Sequence, residues 1–467
     1  MVRLSPLMVA MLSINPDTQH YLDELAEYVA IPSISRDASS DVMSDAANWL
    51  VRQLGFANAY VDTTGGHPLV RGEWIADSSA PTILVYGHYD VQPTGDLDEW
   101  ITPPFELRVD GDVMRGRGCT DDKGPVYIVL KVAQAFMEQE GRLPLNVKFL
   151  FEGEEEIGSP HLDAYVREHA QELACDLVIS ADGAMWRASE PSLSLMSKGL
   201  VTLSVEVHGA NDDLHSGRFG GTVANSIHGL TQIIASLHSP DGRVAVEGFY
   251  DGIAPLSDER RSELRAVSFD EDQYREQLGV TEVFGEAGYS TIERLWERPT
   301  LEVNGIEAGG KYTVIPHVAK AHISCRLVPG QDPSHVLSSV IAHIEQQATP
   351  GLTVIVLPDA AKVPAYTISA NHPAVRAATE ALAGVYPGEK VLLACIAGTL
   401  PATALFETEL GTKTLFFSFS TADEKLHAPN EFMRIRRLGE GMRAWEQLWR
   451  LLADGPHRLE KLSPVHG

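Results

Sequence analysis

Acidic and imidazole side chains follow the apolar segments of this chain at the points where those segments end. His88 and Asp90 come directly after "TILVY", and the glutamates of "FEGEEEIGS" lie directly behind the apolar "LNVKFLF". Asp182 follows "LVIS", and a loop containing His427 follows "TLFFSF". Carboxylates this close to one another repel, so the cluster predicts a bound cation that relieves the repulsion.

The donor types narrow the choice of cation. Mixed imidazole and carboxylate donors suit Zn²⁺, with Mn²⁺ or Co²⁺ as substitutes, whereas Ca²⁺ and Mg²⁺ favour shells made of oxygen alone. Asp121, which opens the helical segment after the first apolar run, can join the cluster. These donors exceed what one tetrahedral ion needs, so we expect two divalent ions about 3.5–4 Å apart, bridged by a carboxylate. One glutamate then remains free to act as a base on metal-bound water.

The apolar segments that precede these side chains are typical of strands in a buried, largely parallel sheet. They are short and rich in β-branched and aromatic residues. Between two of them, "DDKGPVYIVLKVAQAFMEQ" has the length and apolar density of a helix that is buried on most sides. Ligands bind outside the carboxyl ends of strands in open α/β sheets, so the polar groups are expected to meet in one crevice. The sequence therefore predicts an α/β domain with a mixed, largely parallel sheet covered by helices.

The middle of the chain has a different pattern. "GLVTLSVEVHG" and "HVAKAHISCRLVPG" alternate strictly between apolar and polar residues, which predicts strands with one covered face and one wet face. Helical patterns over 222–238 and 333–348 accompany these strands. We infer a smaller α+β domain over residues 199–368, inserted into a larger domain that is formed by residues 1–198 and 369–467.

Composition excludes several classes of protein. The 467 residues carry a net charge of −27, which argues against binding to nucleic acids or to anionic membranes. The four cysteines are far apart and lack metal-site spacing, so we expect reduced thiols in a cytoplasmic protein. The apolar "LMVAMLSI" near the N-terminus is too short to span a bilayer and lacks a cleavage signature, so we expect no signal peptide.

Several motifs follow one another along the chain. In order they are "GHYDVQP", "RGRGCTDDKGP", "FEGEEEIGS", "SADG", "DLHSGRFGG", "TVIP", "RLVPG" and "HAPNE". Together they resemble the motifs of the dinuclear zinc metallopeptidases, a family that includes carnosine-type (cytosolic non-specific) dipeptidases, aminoacylases, glutamate carboxypeptidases and succinyl-diaminopimelate desuccinylase. The resemblance spans nearly the whole chain, and its first two motifs are most similar to the dipeptidase branch.

The resemblance implies a role for each candidate metal ligand. His88 and Asp182 would bind one ion, Glu156 and His427 would bind the other, and Asp121 would bridge the two. If the motif were aligned one residue earlier, Glu155 would be the metal ligand and Glu156 the base.

The resemblance also implies catalytic residues. Glu155 would be the general base that deprotonates the bridging water and then carries the proton to the leaving amine. Asp90 would orient the imidazole of His88. His215 would steady the tetrahedral oxyanion across a homodimer, because the family's inserted domain is a ferredoxin-like lid and dimerisation domain.

Substrate contacts are implied in the second half of the chain. Arg326 would bind the terminal carboxylate of the substrate, a task that suits a planar and always charged guanidinium. Thr313, Gly398 and Thr399 would contact the substrate backbone. The chain departs from the family at Ala397, where glycine is usual, and at Cys119, where serine is usual.

The resulting hypothesis is a metal-dependent hydrolase of dipeptides or short peptides that acts through a metal-bridging hydroxide. Two alternatives remain open. One is an N-acyl amino acid amidohydrolase of the aminoacylase or desuccinylase type, which would use the same chemistry. The other is a catalytically silent peptide-binding or scaffold protein that is built on the same fold.

Overall fold

The computed structural model of the chain describes Leu12 and residues 19–37, 39–63, 65–396, 398–454 and 457–460. Apart from Leu12, the N-terminal apolar segment lies outside these residues. The described residues divide into two compact units. The first unit is drawn from the ranges Met1–Leu195, Ile368–Ala394 and Pro401–Gly467. The second is drawn from Met196–Thr367 and Cys395–Leu400.

The first unit is built on a mixed sheet. Its parallel part joins Asn146–Glu152, Thr82–His88, Leu177–Ser180 and Thr414–Phe416, in that order. Two antiparallel strands, Leu69–Trp74 and then Tyr60–Asp62, extend the sheet beyond Asn146–Glu152. The buried patterns of the central strands explain their continuous apolar sequence, because both faces of the sheet are covered. The predicted α/β class is confirmed.

Helices of the first unit cover this sheet. The segment predicted as a buried helix forms Lys123–Glu140, and it is buried along most of its length. It ends at Gly141, which adopts the left-handed conformation that glycine accepts without strain. The helices of this unit are Gln19–Val29, Ser40–Gln53, Lys123–Glu140, Leu162–Glu168, Ala170–Leu173, Pro373–Val385, Pro401–Leu410 and Arg436–Ala453, with 3₁₀ turns at Leu97–Glu99 and Glu155–Ile157.

Short strands complete the first unit. Phe432–Arg434, Val113–Arg115 and Arg108–Asp110 form a separate antiparallel sheet, in that order. The strands Ser192–Ser197 and Leu392–Ile396 run across the points at which the chain passes from one unit to the other.

The second unit is built on an antiparallel sheet with the order Thr300–Ala308, Val318–Leu327, Gly199–His208 and Thr353–Val363. In chain order, helices follow the strands Gly199–His208 and Val318–Leu327. This is the ferredoxin-like order of strands and helices that the resemblance implied. Alternation is strict in Val318–Leu327, as predicted. Its buried residues are Ala319, Ala321, Ile323, Cys325 and Leu327.

Two helices pack on the buried face of this sheet. Ser226–Ser236 and Pro333–Gln346 contribute Leu230, Ile233, Val336 and other apolar side chains to one core with the strands. Each such side chain contributes roughly 1.5–3 kcal/mol when it is fully buried. The remaining elements are Leu214–His215, Ser216–Phe219, Asp258–Arg265, Glu271–Leu278, Thr291–Glu297, Val314–Ile315 and Tyr366–Thr367.

The domain boundaries predicted from the sequence lay at 198/199 and 368/369, and the chain passes between the units at 195/196 and 367/368. The segment Cys395–Leu400, which the sequence assigned to the larger domain, groups with the second unit. A hydrogen bond from the Lys198 amide to the Gly398 carbonyl, 3.0 Å long, holds it there. Among the described residues, every helix is too short or too polar to cross a membrane.

Candidate metal centre

The carboxyl ends of the parallel strands carry the first candidate ligands. His88 is the last residue of Thr82–His88, and it pairs in register with Glu152 at the end of the neighbouring strand. Asp182 lies two residues beyond the strand Leu177–Ser180. Neighbouring parallel strands end at the same edge of a sheet, so the fold gathers these groups as the strand-end pattern predicts.

Two groups of side chains share Asp121. Ligand atoms of His88, Asp121 and Asp182 all lie within 4.8 Å of one another, and those of Asp121, Glu156 and His427 do the same. His88 Nε2 is 3.2 Å from Asp121 Oδ1, and His427 Nε2 is 2.9 Å from Asp121 Oδ2. His427 Nε2 is also 3.2 Å from Glu156 Oε2. Each oxygen of one carboxylate therefore faces a different histidine.

The donors of both groups fit a divalent cation. Each group offers one imidazole and two carboxylates, the mixed set that Zn²⁺ and similar ions accept. Burial raises the pKa of Asp182 to about 7; His88 opposes this rise, and the Asp121 and Glu156 carboxylates add to it. A cation between these carboxylates would offset the cost of burying like charges. The residues present thus fit two ions that share Asp121.

Two histidines stabilise the ionised form of Asp121. Burial alone would raise the pKa of this carboxyl, but hydrogen bonds with His427 and His88 outweigh that effect and hold the pKa below its ordinary value. In turn, hydrogen bonding to Asp121 and then to Glu156 raises the pKa of His427 to about 10. Asp121 is consequently anionic at neutral pH, as a bridging ligand must be.

Asp90 connects the first strand end to the 3₁₀ turn Glu155–Ile157. Its Oδ1 accepts a hydrogen bond from the amide of Glu155 at 3.2 Å, and its Oδ2 accepts one from the amide of Glu156 at 3.0 Å. Oδ1 also lies 3.4 Å from His88 Nδ1. Asp90 is fully buried, and it therefore contacts both the imidazole of His88 and the backbone of the two glutamates.

The adjacent glutamates have different surroundings. Glu156 Oε2 lies beside His427 and also accepts a hydrogen bond from Gln92 Nε2 at 2.9 Å. The Glu155 carboxylate makes no hydrogen bond to any side chain or backbone group in the described part of the chain. Burial raises the pKa of Glu155 well above its ordinary value; His88 opposes this rise, and the Asp182 carboxylate adds to it. In this register Glu156 belongs to a donor group, and Glu155 does not.

The loop that carries His427 contains backbone strain. His427, Lys425 and Asn430 all have positive φ, at +61°, +57° and +65°. Such conformations are unfavourable for residues other than glycine and persist where the surrounding structure imposes them. Here Asn430 accepts a hydrogen bond from the Ile101 amide at 2.7 Å and donates one to the Glu99 carbonyl at 2.7 Å. These contacts fix the loop from which His427 projects.

Glu431 holds the backbone that precedes Asp121, a role that sequence reasoning missed. Its Oε1 accepts hydrogen bonds from the amides of Thr120 and Asp121 at 3.0 and 3.2 Å. Its Oε2 accepts them from the Gly118 amide at 3.0 Å and from Arg117 Nη1 at 2.7 Å. The motif "HAPNE" ends in this residue, but only the folded chain shows what its carboxylate contacts.

Glu424 also contacts the segment that precedes Asp121, through the hydroxyl of Thr120. This residue was not identified from the sequence. Its Oε2 accepts a hydrogen bond from the Thr120 hydroxyl at 2.5 Å and from the Thr421 amide at 3.0 Å. Its Oε1 lies 3.1 Å from Arg434 Nη1. The His427 loop and the Asp121 segment are therefore linked by two buried carboxylates.

Two other glutamates of the acidic run, Glu152 and Glu154, lie outside both donor groups. Acidic runs are usually solvated, but both of these side chains are buried. Glu152 Oε1 accepts hydrogen bonds from the Tyr86 hydroxyl at 2.5 Å and the Ser159 hydroxyl at 2.9 Å. Glu154 accepts one from the His67 amide at 3.0 Å. Their position at a strand end turns them inward, and these donors compensate for the lost water.

The second unit brings the predicted substrate-binding residues together in two pairs. His215 and Thr313 are neighbours, because Leu214–His215 pairs with Val314–Ile315 and the Ser216 amide donates to the Thr313 carbonyl at 3.0 Å. His215 is exposed, and its Nδ1 accepts a hydrogen bond from the Gly217 amide at 3.1 Å.

The second pair involves the four-stranded sheet of this unit, in which Arg326 lies on the strand Val318–Leu327. Arg326 Nη1 donates a hydrogen bond to Thr399 Oγ1 at 2.7 Å, and Gly398 lies next to Thr399 in the chain. Ala397, the departure from the family motif, lies outside the described residues. Cys119, the other departure, is buried, and its Sγ donates to the Met114 carbonyl at 3.5 Å, so it belongs to neither donor group.

Comparisons with known proteins agree with this geometry. The sequence matches "Peptidase family M20/M25/M40" over residues 84–451. It is 29% identical to the Cys-Gly metallodipeptidase DUG1 of Candida albicans over 92% of this chain and 94% of that protein. It is 33% identical to the Beta-Ala-His dipeptidase of Homo sapiens over 70% of this chain and 68% of that protein.

A solved structure shows the same fold. The M20 family metallo-carboxypeptidase Sso-CP2 from Sulfolobus solfataricus superposes with a TM-score of 0.82 at 30% identity, covering 93% of this chain and 100% of that one. The family match over most of the sequence and this structural agreement confirm the resemblance drawn from the motifs. The chain belongs to peptidase family M20/M25/M40.

Proposed function

We propose that this chain is a metal-dependent peptidase that hydrolyses dipeptides or short peptides with a free C-terminal carboxylate. The observation that carries the proposal is the pair of donor groups sharing Asp121, with the free carboxylate of Glu155 next in sequence to Glu156. Relatives named as dipeptidases, which match most of this chain, support it.

His88 and Asp182 would hold one ion, Glu156 and His427 would hold a second, and Asp121 would bridge them. Zn²⁺ fits this donor set, with Mn²⁺ or Co²⁺ as substitutes. When bound, the ions would supply Lewis-acid polarisation of the scissile carbonyl and a lowered pKa for the attacking water.

Glu155 would take the proton from the attacking water and deliver it to the nitrogen of the leaving amine. A carboxyl group performs both transfers best when its pKa is raised toward the working pH. Burial, opposed by His88, raises the pKa of Glu155 in that direction. Asp90 would act as a positioning residue, since it contacts His88 and the amide of Glu155.

The second unit would recognise the rest of the substrate. Arg326 would bind the C-terminal carboxylate, because a guanidinium donates two parallel hydrogen bonds to such a group. Thr313, Gly398 and Thr399 would contact the substrate backbone, and His215 would stabilise the oxyanion of a neighbouring subunit's substrate. These roles, the homodimer and a cytoplasmic location stay predictions.

The first test replaces Glu155 by glutamine, which preserves its shape and removes the base. We expect Glu155→Gln to keep two metal ions per chain, measured by elemental analysis, while kcat on Ala-Gly falls about 10³-fold. Glu168→Gln, on an exposed helix position of the same unit, is the control. Substantial turnover by Glu155→Gln would remove Glu155 from the mechanism.

Substrate panels separate the remaining alternatives. Dipeptides, N-acetyl amino acids and tripeptides would be compared on the metal-reconstituted protein. Preference for N-acetyl amino acids would indicate the amidohydrolase alternative. Preference for tripeptides would place the chain with Sso-CP2, which is described as a carboxypeptidase.

A mixing experiment tests the homodimer. Glu155→Gln and His215→Asn each inactivate one type of site, so exchanged subunits should regain up to about a quarter of the wild-type activity if His215 acts across the dimer. Subunit exchange would be verified by differently tagged chains. Exchange without regained activity would contradict a role in trans.

A further inference from the structure

The position of the Glu155 carboxylate depends on the loop that carries it. This carboxylate accepts no hydrogen bond from any group in the part of the chain that the structure describes. A side chain without such contacts lies where its backbone directs it, and a general base must lie within hydrogen-bond reach of the proton that it takes. Asp90 holds the loop at one point, through the amides of Glu155 and Glu156. The ends of the loop need an anchor as well.

One buried carboxylate joins the two ends of this loop. Glu152 is the last residue of the strand Asn146–Glu152, and Ser159 follows the 3₁₀ turn Glu155–Ile157. The Ser159 hydroxyl donates to Glu152 Oε1 at 2.9 Å, and the Tyr86 hydroxyl, from the neighbouring strand, donates to the same oxygen at 2.5 Å. All three side chains are buried. We call these three residues the Glu152 clasp.

The loop closes through an unfavourable backbone conformation. Gly158 and Ser159 have φ of +87° and +51°. Glycine accepts a positive φ without strain, whereas serine keeps one only where its surroundings impose it. Two hydrogen bonds of Ser159 do so here, since its amide donates to the Glu154 carbonyl at 2.8 Å and its hydroxyl donates to Glu152. Serine at a position that glycine would fill more easily indicates a use for the hydroxyl.

The loop has a packed part and an exposed part. Gly153, next to Glu152, lies against the ring of Tyr89, where an added β-carbon would stand 2.4 Å from the Tyr89 hydroxyl oxygen. Ile157, in the 3₁₀ turn, is 37% exposed. Packing therefore fixes the beginning of the loop, whereas its later part depends on the bond between Ser159 and Glu152.

Resting on the proposed function, we propose that the Glu152 clasp positions the general base. By joining the two ends of the loop, the clasp sets where Glu155 lies, and it sets the adjacent candidate ligand Glu156 as well. Glu152 belongs to neither donor group, so it acts through the loop and not as a ligand. Loss of the clasp should therefore lower turnover and metal affinity while substrate binding is kept.

Two substitutions of Ser159 separate positioning from stability. Ser159→Ala removes the hydroxyl and keeps the strained φ, whereas Ser159→Gly removes the hydroxyl and relieves the strain, so its midpoint of unfolding should stay close to that of the wild type. We expect kcat on Ala-Gly at saturating Zn²⁺ to fall about 10–100-fold in both variants, with KM changed less than about twofold, because a slightly misplaced reacting group loses that much. Wild-type kcat in Ser159→Gly would overturn the proposal.

The acceptor of the clasp is tested by a second pair of variants. Glu152→Gln keeps an oxygen that accepts both hydroxyl bonds, so kcat should stay within about threefold of the wild type. Glu152→Met has a similar length but no such acceptor, so kcat should fall as far as in Ser159→Gly. An equal loss in Glu152→Gln and Glu152→Met would assign the effect to the charge of Glu152 and contradict the clasp.

The matched control is Ser226→Ala in the second unit. Ser226 is fully buried, and its hydroxyl donates to the Pro316 carbonyl at 2.7 Å. This variant loses a buried hydrogen bond, as Ser159→Ala does, but it should leave kcat and Zn²⁺ affinity unchanged. A loss of kcat equal to that of Ser159→Gly would show that the effect is not specific to the clasp, and it would overturn the proposal.

Zinc binding separates this proposal from the proposed function. Competition with a chromophoric chelator measures Zn²⁺ affinity without turnover, so it gives a result even if the protein hydrolyses no dipeptide. Because Glu156 lies in the clasped loop, Ser159→Gly should weaken the binding of one of the two Zn²⁺ ions about tenfold, and Ser226→Ala should not. Unchanged affinity for both ions in Ser159→Gly would contradict the clasp, whatever the activity of the wild type.

Discussion

The candidate site residues of the two units are held in different ways. In the first unit, His88 and Asp90 are fully buried. The Asp90 carboxylate accepts two backbone hydrogen bonds and also contacts His88. In the second unit, His215 is exposed and its side chain bonds to its own turn, and Arg326 has one hydroxyl partner among the residues that the structure describes. His88 and Asp90 are thus fixed by the fold, whereas His427 of the same unit is exposed. His215 and Arg326 keep hydrogen-bonding capacity for a ligand. The difference fits the proposed roles, in which a fixed position matters where ions would bind and adaptability matters where substrates would bind.

The physical origin of this difference lies in the two sheets. Both faces of the parallel sheet are covered, so polar groups at its edge must find partners among other protein groups. One face of the antiparallel sheet is wet, and Arg326 lies on that face. Water can hydrogen-bond such a side chain in place of protein groups.

The largest expected effect comes from the residue that joins both donor groups. Asp121→Asn weakens both sites at once, because each oxygen of Asp121 faces a different histidine. We expect metal content to fall below one ion per chain and kcat to fall at least about 10³-fold. Elemental analysis and a dipeptide assay measure this, with Asp62→Asn, which loses only a bond from Tyr165, as control. Full metal content in Asp121→Asn would contradict a shared ligand.

An intermediate effect is expected from the carboxylate that holds Asp121. Glu431→Gln places an amide donor against the amide of Gly118 and leaves the buried Arg117 without its anion. We expect metal affinity to fall about 10–100-fold and the free energy of unfolding to fall by roughly 3–5 kcal/mol. Metal titration and denaturant unfolding measure the two quantities.

A variant in the second unit, Glu286→Gln, separates an effect on stability from an effect on metal affinity. Glu286→Gln breaks the buried bidentate pair with Arg298, so it should destabilise the protein by a similar amount. It should leave metal affinity unchanged, because Glu286 belongs to neither donor group. Equal loss of metal affinity in both variants would mean that Glu431 acts only through stability.

The smallest effect is expected in the second unit. Thr399→Val removes the hydrogen bond that Arg326 Nη1 donates to the Thr399 hydroxyl, with little change in the size of the side chain. We expect KM for dipeptides to rise about fivefold with little change in kcat, since one hydrogen bond to a charged group contributes about 1–2 kcal/mol. Steady-state kinetics decide the point. A loss of kcat without a change in KM would place Thr399 in the chemical step.

Sequence patterns predicted the parts of the molecule that depend on local order. The alternation around Ile323 predicted a sheet with one exposed face, and the apolar run before His88 predicted a sheet that is buried on both faces. The family resemblance is confirmed. Strand-end positions also predicted that His88 and Asp182 would lie close together, because parallel strands end at the same edge of a sheet, and Asp121, before the following helix, lies beside them. The roles of these residues in catalysis stay predictions.

Contacts between distant segments could not be predicted in the same way. Glu431 contacts Thr120 across more than 300 residues, and no periodicity encodes such a bond. The acidic run around Glu152 is typical of a solvated segment, yet Glu152 is buried and accepts hydrogen bonds from the hydroxyls of Tyr86 and Ser159. The loop around Gly398 joined the second unit through one backbone hydrogen bond that the sequence does not reveal.

The burial of all four cysteines has a practical consequence. Burial raises the pKa of Cys175 in the first unit and of Cys325 in the second to about 12, which keeps both as unreactive thiols in the native protein. A thiol-reactive dye would therefore label each cysteine only when its surroundings open. Mass spectrometry of the labelled peptides would then time the opening of the two units separately, without any engineered reporter.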